Sequence, residues 1–225
     1  MSSERFRLTG LIAAPFTPFD ARGALNPALV PRLAAHLRAT GVHGAFICGT
    51  TGEWPSLTIE ERRQLAACWR RHTGDGLPLI VHVAHPCLED SQALARHAQE
   101  IGADAIALLA PNFFRPEGLE GLVDWCAEVG AAAPQLPLYY YHMPVMTGVN
   151  GSMAEFLPLA ARRIPNFGGI KFTHENLMDY ALTLEAAGDR HDVLFGRDEI
   201  LLAGWSLGAR GAVGSTYNFA APIYR

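Results

Sequence analysis

The sequence predicts an α/β fold, a (β/α)8 TIM barrel, and three observations lead there. Eight short apolar runs recur along the chain, continuous and not alternating, as in parallel strands covered on both faces. Segments of helical period lie between them, the alternation of an α/β protein. The chain is 225 residues long, which suits one domain with one sizeable core, near the roughly 250 residues of such barrels. An open doubly wound sheet is the other solution for this pattern, but no G-x-G-x-x-G follows an early strand.

Each element follows in order. The run LTGLIAAPF is succeeded by a helical segment at 27–40, and GAFICGT by one at 58–73. In the latter, Thr58 and Glu61 carry the three-residue spacing of a capping box. LPLIVHVAH precedes 88–101, ADAIALLAP precedes 117–132, and LPLYYYHMP precedes 152–164. FGGIKFT precedes 175–187, DVLFGRD precedes 199–207, and GAVGST is the eighth run. Only YNFAAPIYR follows it. The sequence therefore predicts one barrel over 1–225, truncated after the eighth strand and lacking its last helix. The outer faces of the first and eighth strands, with Leu11, Ile12 and Val213, would then lack cover and make the chain aggregation-prone.

Composition narrows the function. Hydrophobic residues make up 49% and charged residues 18%, which argues for a folded globular protein. With 18 basic and 22 acidic residues the net charge is −4, and no basic tract stands out, so nucleic acid and anionic membranes are poor partners. MSSERFRLTG lacks the apolar core of a signal peptide, and no run approaches the roughly 20 residues of a membrane span. Cys48, Cys68, Cys87 and Cys126 are scattered, as free thiols in a reducing cytoplasm would be.

In a (β/α)8 barrel the C-terminal strand ends carry the chemistry. GGIKFTHENL places Lys171 between Ile170 and Phe172 in an apolar strand. A lysine there can snorkel to solvent. If its neighbours face the helices, it points into the barrel, where desolvation favours the neutral amine that attacks a carbonyl to form a Schiff base. CGTTGEW offers the Thr50 and Thr51 hydroxyls and backbone N–H groups in a tight turn, either a carboxylate-holding nest or an ordinary βα loop. In YYYHMP, alternation separates Tyr140 from Tyr139 and Tyr141; these phenols are core packing, or one is a proton relay. His82, His85, His142 and His174 lie near strand ends, but no H-x-H or H-E-x-x-H spacing appears and no acidic partner stands at ligand spacing. The sequence predicts no metal site.

GTTGE, YYYHMPVMTGV, GIKFT, LFGRDE and GAVGSTYN, in this order and at these separations, resemble the N-acetylneuraminate lyase and dihydrodipicolinate synthase family. The likeness runs from about Leu8 to Tyr217 and is nearest the lyase branch, where YHxP, G-x-DE and GSTYN occur together. It implies a class I aldolase, a carbon–carbon lyase that cleaves N-acetylneuraminate to N-acetylmannosamine and pyruvate. It further implies no cofactor and a homotetramer whose relatives add C-terminal helices. By motif, Lys171 is the Schiff-base lysine, Tyr141 the proton relay, and Thr50 with Thr51 the holder of the pyruvyl carboxylate. Thr173, Gly196, Asp198, Glu199 and Ser215 match positions that contact the sugar part, and Glu53 supports its loop. Two departures stand out. PNFFRP carries Phe113 and Phe114 where many relatives carry a tyrosine. Met146 stands where synthases place an arginine for the carboxylate of aspartate semialdehyde, so a bidentate anchor is missing. The alternatives are another pyruvate-dependent aldolase or dehydratase of this family and a catalytically idle member.

Overall fold

In the computed structural model, which describes residues 6–225, eight parallel strands close into a barrel in chain order. The first half of the polar N-terminal stretch, residues 1–5, lies outside the described residues. The strands are β1 (Gly10–Ala13), β2 (Gly44–Ile47), β3 (Leu79–His82), β4 (Ala105–Leu109), β5 (Leu138–His142), β6 (Phe167–Phe172), β7 (Asp192–Phe195) and β8 (Gly211–Gly214). Helices α1 (Val30–Ala39), α2 (Ile59–Thr73), α3 (Leu88–Glu100) and α4 (Gly118–Ala131) connect the first five strands. A one-turn helix, α5 (Pro144–Thr147), and α6 (Met153–Arg163) follow β5; α7 (Leu177–Ala187) and α8 (Leu201–Ser206) follow β6 and β7. All eight apolar runs become strands, and nearly every strand residue is buried. Among the described residues no helix is long and apolar enough to cross a membrane.

The capping box of α2 forms: Thr58 N–H donates to Glu61 Oε2 at 2.8 Å, and Glu61 N–H donates to Thr58 Oγ1 at 3.2 Å. Two of the helix's otherwise orphaned donors are thereby satisfied.

The expected gap after β8 is corrected. A two-turn helix, α9 (Tyr217–Tyr224), packs on β1 and β8, burying Tyr217 and Ala221. Of the three residues expected on the outer faces, Leu11 is covered, at 6% exposure; Val213 and its register partner Ile12 instead turn into the barrel, where Val213 lines a cavity, at 1% and 0% exposure. Pro222 hides this helix in the sequence, because a proline inside a helix deprives the carbonyl four residues back of its donor. Here that carbonyl belongs to Asn218, and His36 Nε2 supplies the missing bond at 2.9 Å.

At the N-terminal end of the barrel Asp192 ties three elements together. It accepts from Tyr139 Oη at 2.6 Å, Leu8 N–H at 3.1 Å and the Arg7 guanidinium at 2.8 Å. Registry at the other end depends on a glycine. A shift between Leu138 and Tyr139 lets Gly169 pair with Tyr139, and a Cβ on Gly169 would stand 2.0 Å from the Asp192 carbonyl oxygen. Only glycine permits that approach. From there the ladder sets Tyr141 directly opposite Lys171.

Candidate active site

Lys171 points into the barrel. Its neighbour Phe172 packs outward on Tyr180 of α7, with ring centroids 5.3 Å apart, and strand alternation turns Lys171 the other way. Lys171 is 4% exposed, and its Nζ lies 3.6 Å from the centroid of the Tyr141 ring and 4.4 Å from that of Phe46. The nitrogen therefore rests on two aromatic faces, whose quadrupoles attract positive charge.

The Tyr141 hydroxyl is 3.3 Å from Thr50 Oγ1, joining the β5 ring to the loop after β2. That loop begins with Cys48 at φ 54°, a left-handed conformation unusual for a side chain with a Cβ. Thr51 Oγ1 meets Ser215 Oγ at 2.6 Å, so the β2 loop and the end of β8 share a hydroxyl pair. Glu53, also at φ 54°, is exposed and sits behind the turn, its N–H bonded to the Thr50 carbonyl at 3.0 Å. Burial pushes the Cys48 thiol up to about 11, so it stays protonated and inert.

On the far side, Thr173 is buried and its Oγ1 has no partner among the described residues. A Cβ on Gly196 would lie 2.0 Å from that oxygen, so only glycine leaves room there. Asp198 is buried at 8% exposure, and its Oδ2 accepts from Thr216 N–H at 2.8 Å and Thr216 Oγ1 at 2.7 Å. One Asp198 oxygen is thus already used by the protein, which the sequence reading did not foresee. Glu199 is exposed at the rim.

The structure brings all nine expected residues to one cavity of about 210 Å³: Thr50, Thr51, Tyr141, Lys171, Thr173, Gly196, Asp198, Glu199 and Ser215. Sequence reading missed Met143, Arg197 and Val213 on its walls and Phe46 beneath the lysine. A second cavity of about 260 Å³ adjoins it, shares Thr50, and is lined by Trp54, His85, Asn112 and Met146. Phe113 and Phe114 line neither; they stack edge to face, centroids 5.0 Å apart, at 80% and 85% exposure.

The histidines separate. His82 lies under the β2 loop, while His142 and His174 face each other at 5.8 Å outside the Lys171 cavity. Burial, then the charge of His174, pushes His142 down to about 4. The expectation that no acidic group stands at ligand spacing is corrected for His85. Asp90 Oδ2 is 3.2 Å from its Nδ1, and His85, Cys87 and Asp90 bring one ligand atom each within 4.8 Å of one another. Sequence alone hid this because the turn before α3, not a regular helix, folds the three together. None of the three lines the Lys171 cavity.

The model of the dihydrodipicolinate synthetase family matches residues 7–225. The chain belongs to this family. Among family members, the N-acetylneuraminate lyase of Danio rerio is 44% identical, across 99% of this chain and 74% of that protein. The human N-acetylneuraminate lyase is 42% identical, across 97% of this chain and 69% of its own length. The solved structure of Proteus mirabilis N-acetylneuraminate lyase superposes with a TM-score of 0.95 at 42% identity, covering 97% of this chain and 74% of that one. That of Aliivibrio salmonicida gives 0.95 at 43%, covering 98% and 73%. Within the dihydrodipicolinate synthetase family the likeness is thus to lyases of sialic acid.

Proposed function

We propose that this chain is a Schiff-base aldolase that cleaves N-acetylneuraminate to N-acetylmannosamine and pyruvate. The observation that carries the reading is Lys171 on the Tyr141 ring, with the Tyr141 hydroxyl joined to Thr50 in one cavity. The lyases named above support the substrate.

The substrate carboxylate seats on the Thr50 and Thr51 hydroxyls and the N–H groups of their turn, a nest that needs no formal cation. This holds the C2 ketone over Lys171. The free amine attacks C2, water leaves, and the protonated imine becomes the electron sink. Its positive charge forms over the faces of Tyr141 and Phe46, at 3.6 and 4.4 Å from the lysine nitrogen, where the rings stabilise it. Tyr141 takes the C4 hydroxyl proton as it passes its own through Thr50 to the substrate carboxylate; the C3–C4 bond breaks, its electrons enter the imine, and N-acetylmannosamine departs. Protonation of the enamine and hydrolysis release pyruvate. Thr173 Oγ1, Glu199, Ser215 and the second oxygen of Asp198 meet the sugar hydroxyls. No cofactor enters this scheme, because the imine stabilises the carbanion itself.

The four free cysteines fit a cytoplasmic protein. The exposed Phe113–Phe114 pair supports assembly into the homotetramer the family likeness suggests. Pyruvate with borohydride tests the chemistry: a reduced pyruvyl adduct is expected at Lys171 by peptide mass spectrometry and absent in Lys171→Ala. Labelling at any other group in folded protein sinks the assignment.

A further inference from the structure

His82 is a polar residue in the apolar run LIVHV, the same costly placement as Lys171. It is 0% exposed, and its Nδ1 lies 2.8 Å from the Cys48 carbonyl oxygen. Its other nitrogen, Nε2, has no partner among the described residues. Burial, then the charges of Arg62 and Lys171, hold the ring well below the ordinary histidine range, so it carries a single proton. A carbonyl only accepts, so that proton is on Nδ1. An orphaned buried nitrogen is unfavourable, and an apolar residue would fill this place without it. What the histidine alone supplies is the Nδ1–H.

The carbonyl it holds belongs to Cys48, whose φ of 54° starts the turn that aims Thr50 and Thr51. The same ring stands edge-on to Tyr141 at 5.9 Å between centroids, and beside Phe46 at 6.1 Å. Arg62, itself 2% exposed, braces it from behind by donating to the His82 carbonyl at 2.7 Å and the Ala84 carbonyl at 2.8 Å. His82 does not line the Lys171 cavity, so it does not touch substrate.

We infer that His82 is a positioning residue: its Nδ1–H fixes the left-handed turn at Cys48, and thereby sets the carboxylate nest of Thr50 and Thr51 in register with Tyr141 and Lys171. The inference rests on the Schiff-base reading above. It predicts that pyruvate capture depends on a donor at the Nδ1 position and not on the bulk of the ring.

His82→Asn puts an amide N–H near the place of Nδ1, whereas His82→Gln puts it near the place of Nε2. Borohydride trapping at Lys171 is measured against pyruvate concentration for wild type and both variants. The asparagine variant should half-saturate within about threefold of wild type, and the glutamine variant about tenfold higher, the usual scale for one lost buried hydrogen bond. Adding Cys48→Gly to His82→Gln should bring half-saturation back toward wild type, since glycine takes positive φ without the tether. A residue that served packing alone would give neither the difference nor the rescue. If wild type is not labelled at Lys171, the aldolase reading itself fails. If wild type is labelled but the asparagine and glutamine variants share one curve, the positioning role fails and the aldolase reading stands. If either single variant does not fold, absence of rescue in the double variant overturns the role.

Discussion

Tyr141→Phe removes one oxygen and leaves the ring in place. The ring's contacts with Phe46 at 5.6 Å, His82 at 5.9 Å and the lysine nitrogen at 3.6 Å depend on its faces and edges, which phenylalanine keeps. Among the described residues the only hydrogen bond lost is the long one to Thr50, at 3.3 Å, so stability should fall by less than about 1 kcal/mol. Turnover should fall far more. One positioned acid–base group is worth roughly 10²–10⁴ in rate, or about 2.7–5.4 kcal/mol in the barrier. The imine step needs only Lys171 and the nest, so pyruvate trapping by borohydride should remain close to wild type. The assay pairs that trapping with steady-state pyruvate release from N-acetylneuraminate. Wild-type turnover in the variant would falsify the relay and leave Tyr141 as core packing. Equal loss of trapping and turnover would mean the hydroxyl serves binding, through Thr50, and not proton transfer.

Gly196→Ala should damage the sugar side, since its Cβ would stand 2.0 Å from Thr173 Oγ1 and 2.9 Å from the Phe172 carbonyl. A loss of about 1–3 kcal/mol in stability is expected, with turnover on the sugar falling more than pyruvate trapping; a variant that melts and turns over like wild type refutes the tight fit. Met146, exposed at the neighbouring cavity, offers no guanidinium, so aspartate semialdehyde should be a poor partner for pyruvate and N-acetylmannosamine a better one. Product analysis with both aldehydes decides, and efficient condensation with the semialdehyde would place the chain on the synthase side. For pH, the folded state holds His142 near 4 against an ordinary 6.5. A depressed histidine favours the fold above the unfolded value, and that contribution is lost as pH falls from about 6.5 toward 4, on the order of 3 kcal/mol in all. Melts across this range should show His142→Phe with a flatter acid limb than wild type; an unchanged limb would clear His142 of the role. His82, depressed for the same leading reason, steepens the same limb in both proteins.

The barrel was legible because parallel strands buried on both faces leave an uninterrupted apolar signature, and each of the eight runs has one. Lys171 was legible for the converse reason: a charge in such a run needs an explanation. His82 carried the same signal, yet the sequence offered it only as a weak metal candidate, because its partner, the Cys48 carbonyl, is a backbone atom 34 residues away. Asp198 lines the cavity, but its bond to Thr216 depends on the closing of β7 against β8, which no local spacing reveals. The helix α9 was missed because Pro222 looks like a stop, and the bond that rescues it comes from His36 on the first helix.

The groups around the cavity are joined in pairs across strands that are distant in sequence. Thr50 with Tyr141 joins β2 to β5, Thr51 with Ser215 joins β2 to β8, and Asp198 with Thr216 joins β7 to the start of α9. Each pair braces a segment just beyond one strand against another part of the barrel mouth, so the donors and acceptors stand in place before a ligand arrives, and little ordering remains to be done at the moment of reaction. The pairs also limit what can bind. A hydroxyl already bonded to a neighbour accepts one more bond only along its free direction, so the cavity should discriminate between stereoisomers of a polyhydroxylated chain more sharply than between acyl groups at the exposed rim by Glu199. On the proposed aldolase reading the pyruvyl end has less freedom still, because the turn at Cys48, the ring of Tyr141 and the Tyr141–Lys171 register would fix it from three sides. On the aldolase reading proposed above, the pre-set half of the site defines the chemistry, a 2-keto acid on Lys171, and the rim decides which aldehyde is released.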